Sequence, residues 1–186
     1  MKVVHEFNKA LSLWFNDHGF SNLEFVEGED FCYYPSLHTV QWGMFDSEKT
    51  DNHFRQFFHE YGMKNDECIF IISLLHEVGH FQTIHFFSNE EFESDFAAKE
   101  NRISDGTIDT DYWYWELPIE LAANMWAINW INEHPIEVKE LYKLCVDHIN
   151  QIMNDENVLE QVDDWRAKVK AGEYESLSIY EEDEED

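Results

Sequence analysis

The N-terminal stretch has apolar residues every three to four positions, at Val3, Val4, Phe7, Leu11 and Trp14. This is the spacing of residues on one face of an α-helix. Gly19 follows the last of them, and glycine is typical of a helix C-terminus. The pattern therefore predicts a first helix that ends near Gly19.

Three strand-like stretches come next, at residues 23–26, 31–34 and 37–45. The last of them alternates residues in the manner of a half-buried strand. The segments 28–30 and 35–36 contain Gly, Asp, Pro and Ser, so they are predicted to be the turns between the strands. Three short strands separated by turns favour a small antiparallel sheet.

Two helices are predicted between residues 54 and 87. Aromatic residues at positions 54, 57, 58 and 61 define the first helix, which ends at Gly62 in the C-cap position. The second is predicted to have Asn65 or Asp66 as its N-cap and to run to about Phe87. Beyond it, residues 88–114 are acidic, with a short helix at 91–101.

Proline residues mark the boundaries of the next helices. Pro118 suits the first turn of a helix, and that helix is predicted to end near Glu133, ahead of Pro135. Two further helices are predicted at residues 136–153 and 158–169.

These elements together predict an α+β fold that is mostly helical. The length is that of one domain, which we assign to residues 1–172. Residues 173–186 form an acidic run of the kind that stays disordered.

The segment 73–81 contains the pattern His-Glu-x-x-His, with His76, Glu77 and His80. Residues four apart lie on one face of a helix, so both imidazoles can reach one metal ion, with Glu77 close enough to act on a water. The preceding residues 69–75 are apolar on all sides, which predicts a buried helix. Burying two histidines and a glutamate there is costly unless a metal compensates them. The alternative is a pair of hydrogen-bonded core histidines.

A zinc site needs a third protein ligand and an open position. A third histidine six residues after His80 would be one such ligand, but position 86 is Phe. Glu120 is the preferred candidate. It shares a helix face with Ala123, Asn124 and Ala127, and such small residues allow close approach to the His-Glu-x-x-His helix at Gly79.

Other acidic residues remain open as the third ligand. Glu116 lies just ahead of Pro118, and Glu91, Glu93 and Asp95 are close to His80 in sequence. Glu120 itself has an alternative role, as a carboxylate favoured by the dipole at a helix N-terminus.

The motif at 76–80, followed by Glu120-x-x-Ala-Asn124-x-aromatic-Ala, resembles the ImmA/IrrE-type zinc metallopeptidases, which belong to the minimal gluzincins. The resemblance covers about residues 20–130. It implies a zincin-like fold, a Zn²⁺ ion held by His76, His80 and Glu120, and Glu77 as the general base for hydrolysis of a peptide bond. It also implies that the strand at 37–45 aligns an extended peptide by β-addition.

Catalysis of this kind also needs a donor for the developing oxyanion. Tyr112, Tyr114 and His134 are candidates, each of which has packing or surface exposure as its alternative role. The aromatic residues 112–115 are predicted to pack in the core, with a wall of the substrate cleft as the alternative.

The chain of 186 residues has 12 basic and 40 acidic residues and a formal net charge of −28. Phosphate contacts need Lys and Arg, so the composition argues against binding nucleic acid in a groove. A solvated acidic surface is the preferred interpretation of this charge, and a basic peptide or protein as substrate or partner is the alternative. A second class of function also stays open, namely a catalytically inactive acidic binding protein that engages a basic protein or mimics the charge of nucleic acid.

The three cysteines, Cys32, Cys68 and Cys145, are scattered and odd in number, which indicates reduced thiols. Residues 1–18 do not have the pattern of a signal peptide. No apolar run has the length of a membrane span. We therefore expect a cytoplasmic protein without a membrane partner.

Overall fold

The computed structural model describes residues 2–28, 30–43, 48–104 and 114–153. Within these ranges the chain forms helices α1 (Lys2–Asp17), α2 (Glu48–Glu60), α3 (Ile69–Thr83), α4 (Asn89–Ser104), α5 (Pro118–Glu133) and α6 (Pro135–Met153). Three strands, β1 (Glu24–Glu27), β2 (Cys32–Tyr34) and β3 (Thr39–Trp42), lie between α1 and α2, and single 3₁₀ turns occupy Pro35–Leu37 and Ile84–Phe86. The expectation of a mostly helical α+β fold is confirmed.

The sheet is mixed, so the prediction of an antiparallel sheet was wrong. The strand order is β1-β3-β2, with β1 parallel to β3 and β2 antiparallel to it. Val40 lies opposite both Phe25 and Tyr33, and Val40 and Trp42 are fully buried. Because β3 carries the most deeply buried side chains, it takes the central position, and β1 pairs with it rather than with β2.

This strand order also corrects the expectation for residues 37–45. Residues 35–37 form a 3₁₀ turn, and Thr39–Trp42 are paired on both sides. The described part of this segment is therefore not free to add a peptide strand. The strand at the edge of the sheet beside α3 is β2.

Helix α3 passes through the centre of the fold. Every residue from Ile71 to Gly79 is buried, which confirms the expectation of a buried helix. Its N-cap is Cys68, whose carbonyl accepts the N–H groups of Ile71 and Ile72 at 3.0 and 3.1 Å. The predicted cap was wrong because Asp66 lies instead near the His59 ring, at 3.5 Å.

Packing around α3 is largely aromatic. Phe7 on α1 contacts Trp42 edge to face with a centroid distance of 4.9 Å. The indole N–H of Trp42 donates to Asn8 at 2.7 Å, so this buried polar group is satisfied. Phe54 of α2 lies edge-on to the His76 ring of α3, with a centroid distance of 5.6 Å, so the aromatic core extends to the candidate site.

Several expectations concern residues outside the described ranges. These are the helix at 158–169, the acidic tail at 173–186 and Tyr112. Among the described helices, each is too short or too polar to cross a bilayer.

Candidate metal centre

The centre forms where α3 and α5 approach each other most closely. A Cβ atom added to Gly79 would lie 2.5 Å from the carbonyl oxygen of Ala123. A larger residue at position 79 would thus force the two backbones apart. Glu120, Ala123, Asn124 and Ala127 are all buried on the facing side of α5, as the pattern of small residues predicts.

His76, His80 and Glu120 meet at this contact. The Nε2 atoms of the two histidines are 3.2 Å apart. Oε2 of Glu120 is 3.2 Å from Nε2 of His76 and 3.3 Å from Nε2 of His80. In the part of the chain that the structure describes, this is the one group of three His, Cys, Asp or Glu residues that could hold a metal ion.

Asn124 determines which nitrogen of His76 faces the other two residues. Its amide Nδ2 donates to the carbonyl of Trp115 at 3.0 Å, which leaves Oδ1 as the acceptor toward His76. Nδ1 of His76 lies 2.8 Å from that oxygen and carries the proton. In the neutral ring the lone pair is then on Nε2, which faces Glu120 and His80.

The spacing of the three atoms fits a tetrahedral metal. Ligand atoms about 2.0–2.1 Å from a zinc ion stand roughly 3.3 Å from one another, close to the observed 3.2–3.3 Å. Two imidazole nitrogens and a carboxylate oxygen are also the ligand types that zinc takes in catalytic sites. The donor set therefore fits a metal ion in both type and distance.

The electrostatics of the group favour a cation at its centre. Burial raises the pKa of Glu120, but the hydrogen bonds and charges of His76 and His80 outweigh it and hold that pKa well below its usual value. Burial lowers the pKa of His76, yet the hydrogen bond to Glu120 and the Glu77 and Glu120 charges raise it overall. These buried side chains thus stabilise positive charge between them, whether it comes from protons or from a metal.

Glu77 lies beside this group on α3, also buried. One carboxylate oxygen is 3.8 Å from Nε2 of His76, and the backbone N–H of Tyr33 on β2 donates to the carboxylate. Burial raises the pKa of Glu77, the histidines oppose this, and Glu120 adds to it, so the pKa is raised overall. A carboxyl group of this kind binds a proton more readily than an exposed glutamate.

Tyr114 also reaches the centre. Its hydroxyl is hydrogen-bonded to Glu120, and burial together with the Glu120 and Glu77 charges raises its pKa far above the usual value. The residue as a whole is 37% exposed, while its hydroxyl lies beside the carboxylates. Trp115 packs against Phe54 and Phe57, with centroid distances of 5.0 and 5.5 Å.

His134 is remote from the centre. It is the C-cap of α5, fourteen residues after Glu120, which corresponds to about 21 Å along a helix. Its Nδ1 lies 3.1 Å from the carbonyl of Trp130, and its ring stacks on Trp130 at 4.9 Å. This placement does not suit a donor to a reacting oxyanion.

The other acidic candidates for the third ligand have different contacts. Glu116 accepts a hydrogen bond from Tyr61 at 2.5 Å, and Glu91 forms a capping box with Ser88 at the start of α4. Glu93 is exposed. Asp95 accepts from the backbone N–H of Ile119 at 3.1 Å.

Two hydrogen bonds that position residues of the site were not predicted from the sequence. Asn124 was placed on the correct face but given no role, although an amide one turn after a ligand is a signal for a bond to a metal-binding histidine. The hydrogen bond from the backbone of Tyr33 to Glu77 had no side-chain signal.

The fold and the site together define a helical α+β protein with a buried two-histidine, one-glutamate centre. Comparison of the chain with protein-family models, curated proteins and solved structures finds no match. A function for the centre is therefore inferred from its own side chains and their geometry.

Proposed function

We propose that this protein is a zinc-dependent peptidase with a zincin-like fold, similar to the ImmA/IrrE-type enzymes. The observation that carries the proposal is the triangle of His76, His80 and Glu120 with the Glu77 carboxylate beside it. The order of elements, with a small sheet ahead of the His-Glu-x-x-His helix and a glutamate on a later helix, also supports it.

His76, His80 and Glu120 would hold Zn²⁺ through Nε2, Nε2 and Oε2. When bound, the ion polarises a carbonyl group and lowers the pKa of a water toward neutrality. Asn124 fixes the His76 ring in the tautomer that can coordinate, and Phe54 packs against the edge of the same ring. The ligands are thus held in position by side chains that do not touch the ion.

Glu77 acts as the general base. It takes a proton from the attacking water and passes it to the leaving amine. The N–H of Tyr33 keeps the carboxylate oriented between the two steps.

Tyr114 is the donor for the developing oxyanion. Its hydroxyl is already at hydrogen-bonding distance from Glu120, so only a small reorientation lets it donate to an oxygen at the reacting carbon. Such preorganised donors typically contribute about 100- to 1000-fold to the rate.

The substrate is an extended peptide, which binds along β2 rather than along β3. β2 lies at the edge of the sheet, and its central residue Tyr33 contacts Glu77. A peptide added to this edge would place its backbone next to the general base. The large excess of acidic residues favours a basic peptide.

The test combines metal analysis with a peptidase assay. Protein purified without chelators should contain about one zinc per chain, and His80→Ala and Glu120→Ala should lose it. Incubation with a defined peptide library, followed by mass spectrometry, should detect cleavage by wild type and none by Glu77→Gln. That variant keeps the shape of the side chain and an acceptor for Tyr33, so it should retain zinc.

Three results would count against the proposal in different ways. Absence of zinc after reconstitution would rule out the metal centre. Zinc without cleavage of any peptide would favour the non-catalytic acidic binding protein. Cleavage that persists in Glu77→Gln would rule out the assigned base.

A further inference from the structure

One carboxylate outside the metal centre is as deeply buried as His76. Asp95 on α4 is only 7% exposed, whereas the other α4 side chains that the structure describes are exposed or half-buried. Burying a carboxylate is costly unless a hydrogen bond compensates it. The hydrogen bond that Asp95 makes therefore indicates its structural role.

The contact is with the first turn of α5. The N-cap of that helix is Leu117, which offers no side-chain hydrogen bond, and Pro118 has no N–H. The first N–H group in the helix therefore belongs to Ile119, and Oδ2 of Asp95 accepts it at 3.1 Å. Asp95 thus supplies from α4 the cap that α5 lacks in its own sequence.

Glu120 is the residue directly after this contact. It is also the one ligand candidate that does not lie on α3, so its distance from His76 and His80 depends on where the first turn of α5 lies. Asn124, one turn later, is held by both His76 and Trp115. The turn that carries Glu120 precedes that anchor, and helix ends are the part of a helix most prone to open.

We propose that Asp95 is a positioning residue for the metal centre. It caps α5 and thereby holds Glu120 at ligand distance from the two histidines. The proposal rests on the metal centre proposed above. It does not depend on catalysis. Its consequence is that removing the acceptor at position 95 weakens metal binding without touching any ligand.

The experiment measures metal affinity in three variants. Asp95→Leu keeps the branching and the number of heavy atoms of the side chain but accepts no hydrogen bond, and Asp95→Asn keeps an acceptor oxygen. Asn132→Ala is the control, because Asn132 holds the other end of α5 through Gly62 and Lys64, at 2.9 Å each. Zn²⁺ affinity is measured by competition with a chelator, and the visible spectrum of bound Co²⁺ reports the ligand geometry.

Asp95→Leu should bind Zn²⁺ about 10- to 100-fold more weakly than wild type, with an altered Co²⁺ spectrum. Asp95→Asn should recover most of the affinity. Asn132→Ala should lower the melting temperature but leave affinity and spectrum unchanged. If Asp95→Leu does not fold, Asp95→Ala replaces it with the same expected loss.

The outcomes separate this inference from the proposed function. Wild-type affinity and spectrum in the folded Asp95→Leu or Asp95→Ala variant would overturn the role of Asp95 and leave the metal centre standing. An equal loss of affinity in Asn132→Ala would also overturn it, because general destabilisation would then explain both. No Zn²⁺ or Co²⁺ binding by wild type would overturn the metal centre and this inference together.

Discussion

Nδ1 of His76 lies 2.8 Å from Oδ1 of Asn124, across the contact between α3 and α5. The bond fixes the His76 tautomer and, with it, the direction of the lone pair on Nε2. It also ties the helix that carries two ligand candidates to the helix that carries the third. One amide therefore links the tautomer of a ligand candidate to the contact between the two helices.

Replacing Asn124 should weaken metal binding. In Asn124→Ala the acceptor for His76 is lost, so the ring is no longer held in the coordinating tautomer. We expect Zn²⁺ affinity to fall about 10- to 100-fold in a chelator-competition titration. Asn124→Asp is the matched variant, since it still accepts from His76 but cannot donate to Trp115. Retained affinity in Asn124→Ala would show that the bond to His76 is not needed.

Metal binding should stabilise the folded chain. A ligand that binds only the native state at 100 times its Kd adds about 2.7 kcal/mol. For a chain of this size that corresponds to a rise in melting temperature of roughly 5 to 10 °C. The measurement is a thermal melt in excess Zn²⁺ and in excess chelator. His80→Ala should melt at the same temperature in both conditions, and a similar rise in that variant would point to zinc bound elsewhere.

Gly79→Ala should destabilise the protein although alanine is the better helix former. Propensity alone would favour the substitution by about 1 kcal/mol. The added Cβ would lie 2.5 Å from a backbone carbonyl of Ala123, which cannot rotate away. Overpacking of this kind costs about 1–3 kcal/mol, and a carbonyl of the backbone cannot yield easily, so we expect a net loss of up to roughly 2 kcal/mol in urea unfolding.

The same substitution should also lower Zn²⁺ affinity, because α5 and Glu120 must move away from α3. Gln82→Ala, a half-buried position on the same helix, is the control and should leave both quantities close to wild type. A gain in stability of about 1 kcal/mol in Gly79→Ala, the full effect of helix propensity, would mean that the two helices can separate without cost.

The candidate site could be predicted because its signals are local. His76 and His80 are four residues apart on one helix, and the small residues that surround Glu120 show which face of α5 approaches Gly79. The start of α5 was equally predictable, because Pro118 suits only the first turn. In each case the structural feature depends on residues within one or two helical turns of each other.

The strand order could not be predicted in this way, since pairing depends on residues far apart in the chain. β3 is central because Trp42 packs on Phe7 and donates to Asn8, more than thirty residues earlier. The cap of α3 was missed for a similar reason. Aspartate is a more common capping residue than cysteine, but the Asp66 carboxylate lies next to Arg55 and His59 on α2 instead.

Removing the hydroxyl of Tyr114 should slow catalysis by the zinc-loaded protein. Tyr114→Phe keeps the ring but loses the donor that lies beside Glu120 and Glu77. If this hydroxyl stabilises the developing oxyanion, kcat for a cleaved peptide should fall about 100- to 1000-fold, with little change in KM. Tyr61→Phe removes a similar hydrogen bond, to Glu116 outside the centre, and should leave kcat unchanged. A purely structural role predicts the opposite pattern for Tyr114→Phe, with a lower melting temperature and an unchanged kcat, so measuring both quantities distinguishes the two roles.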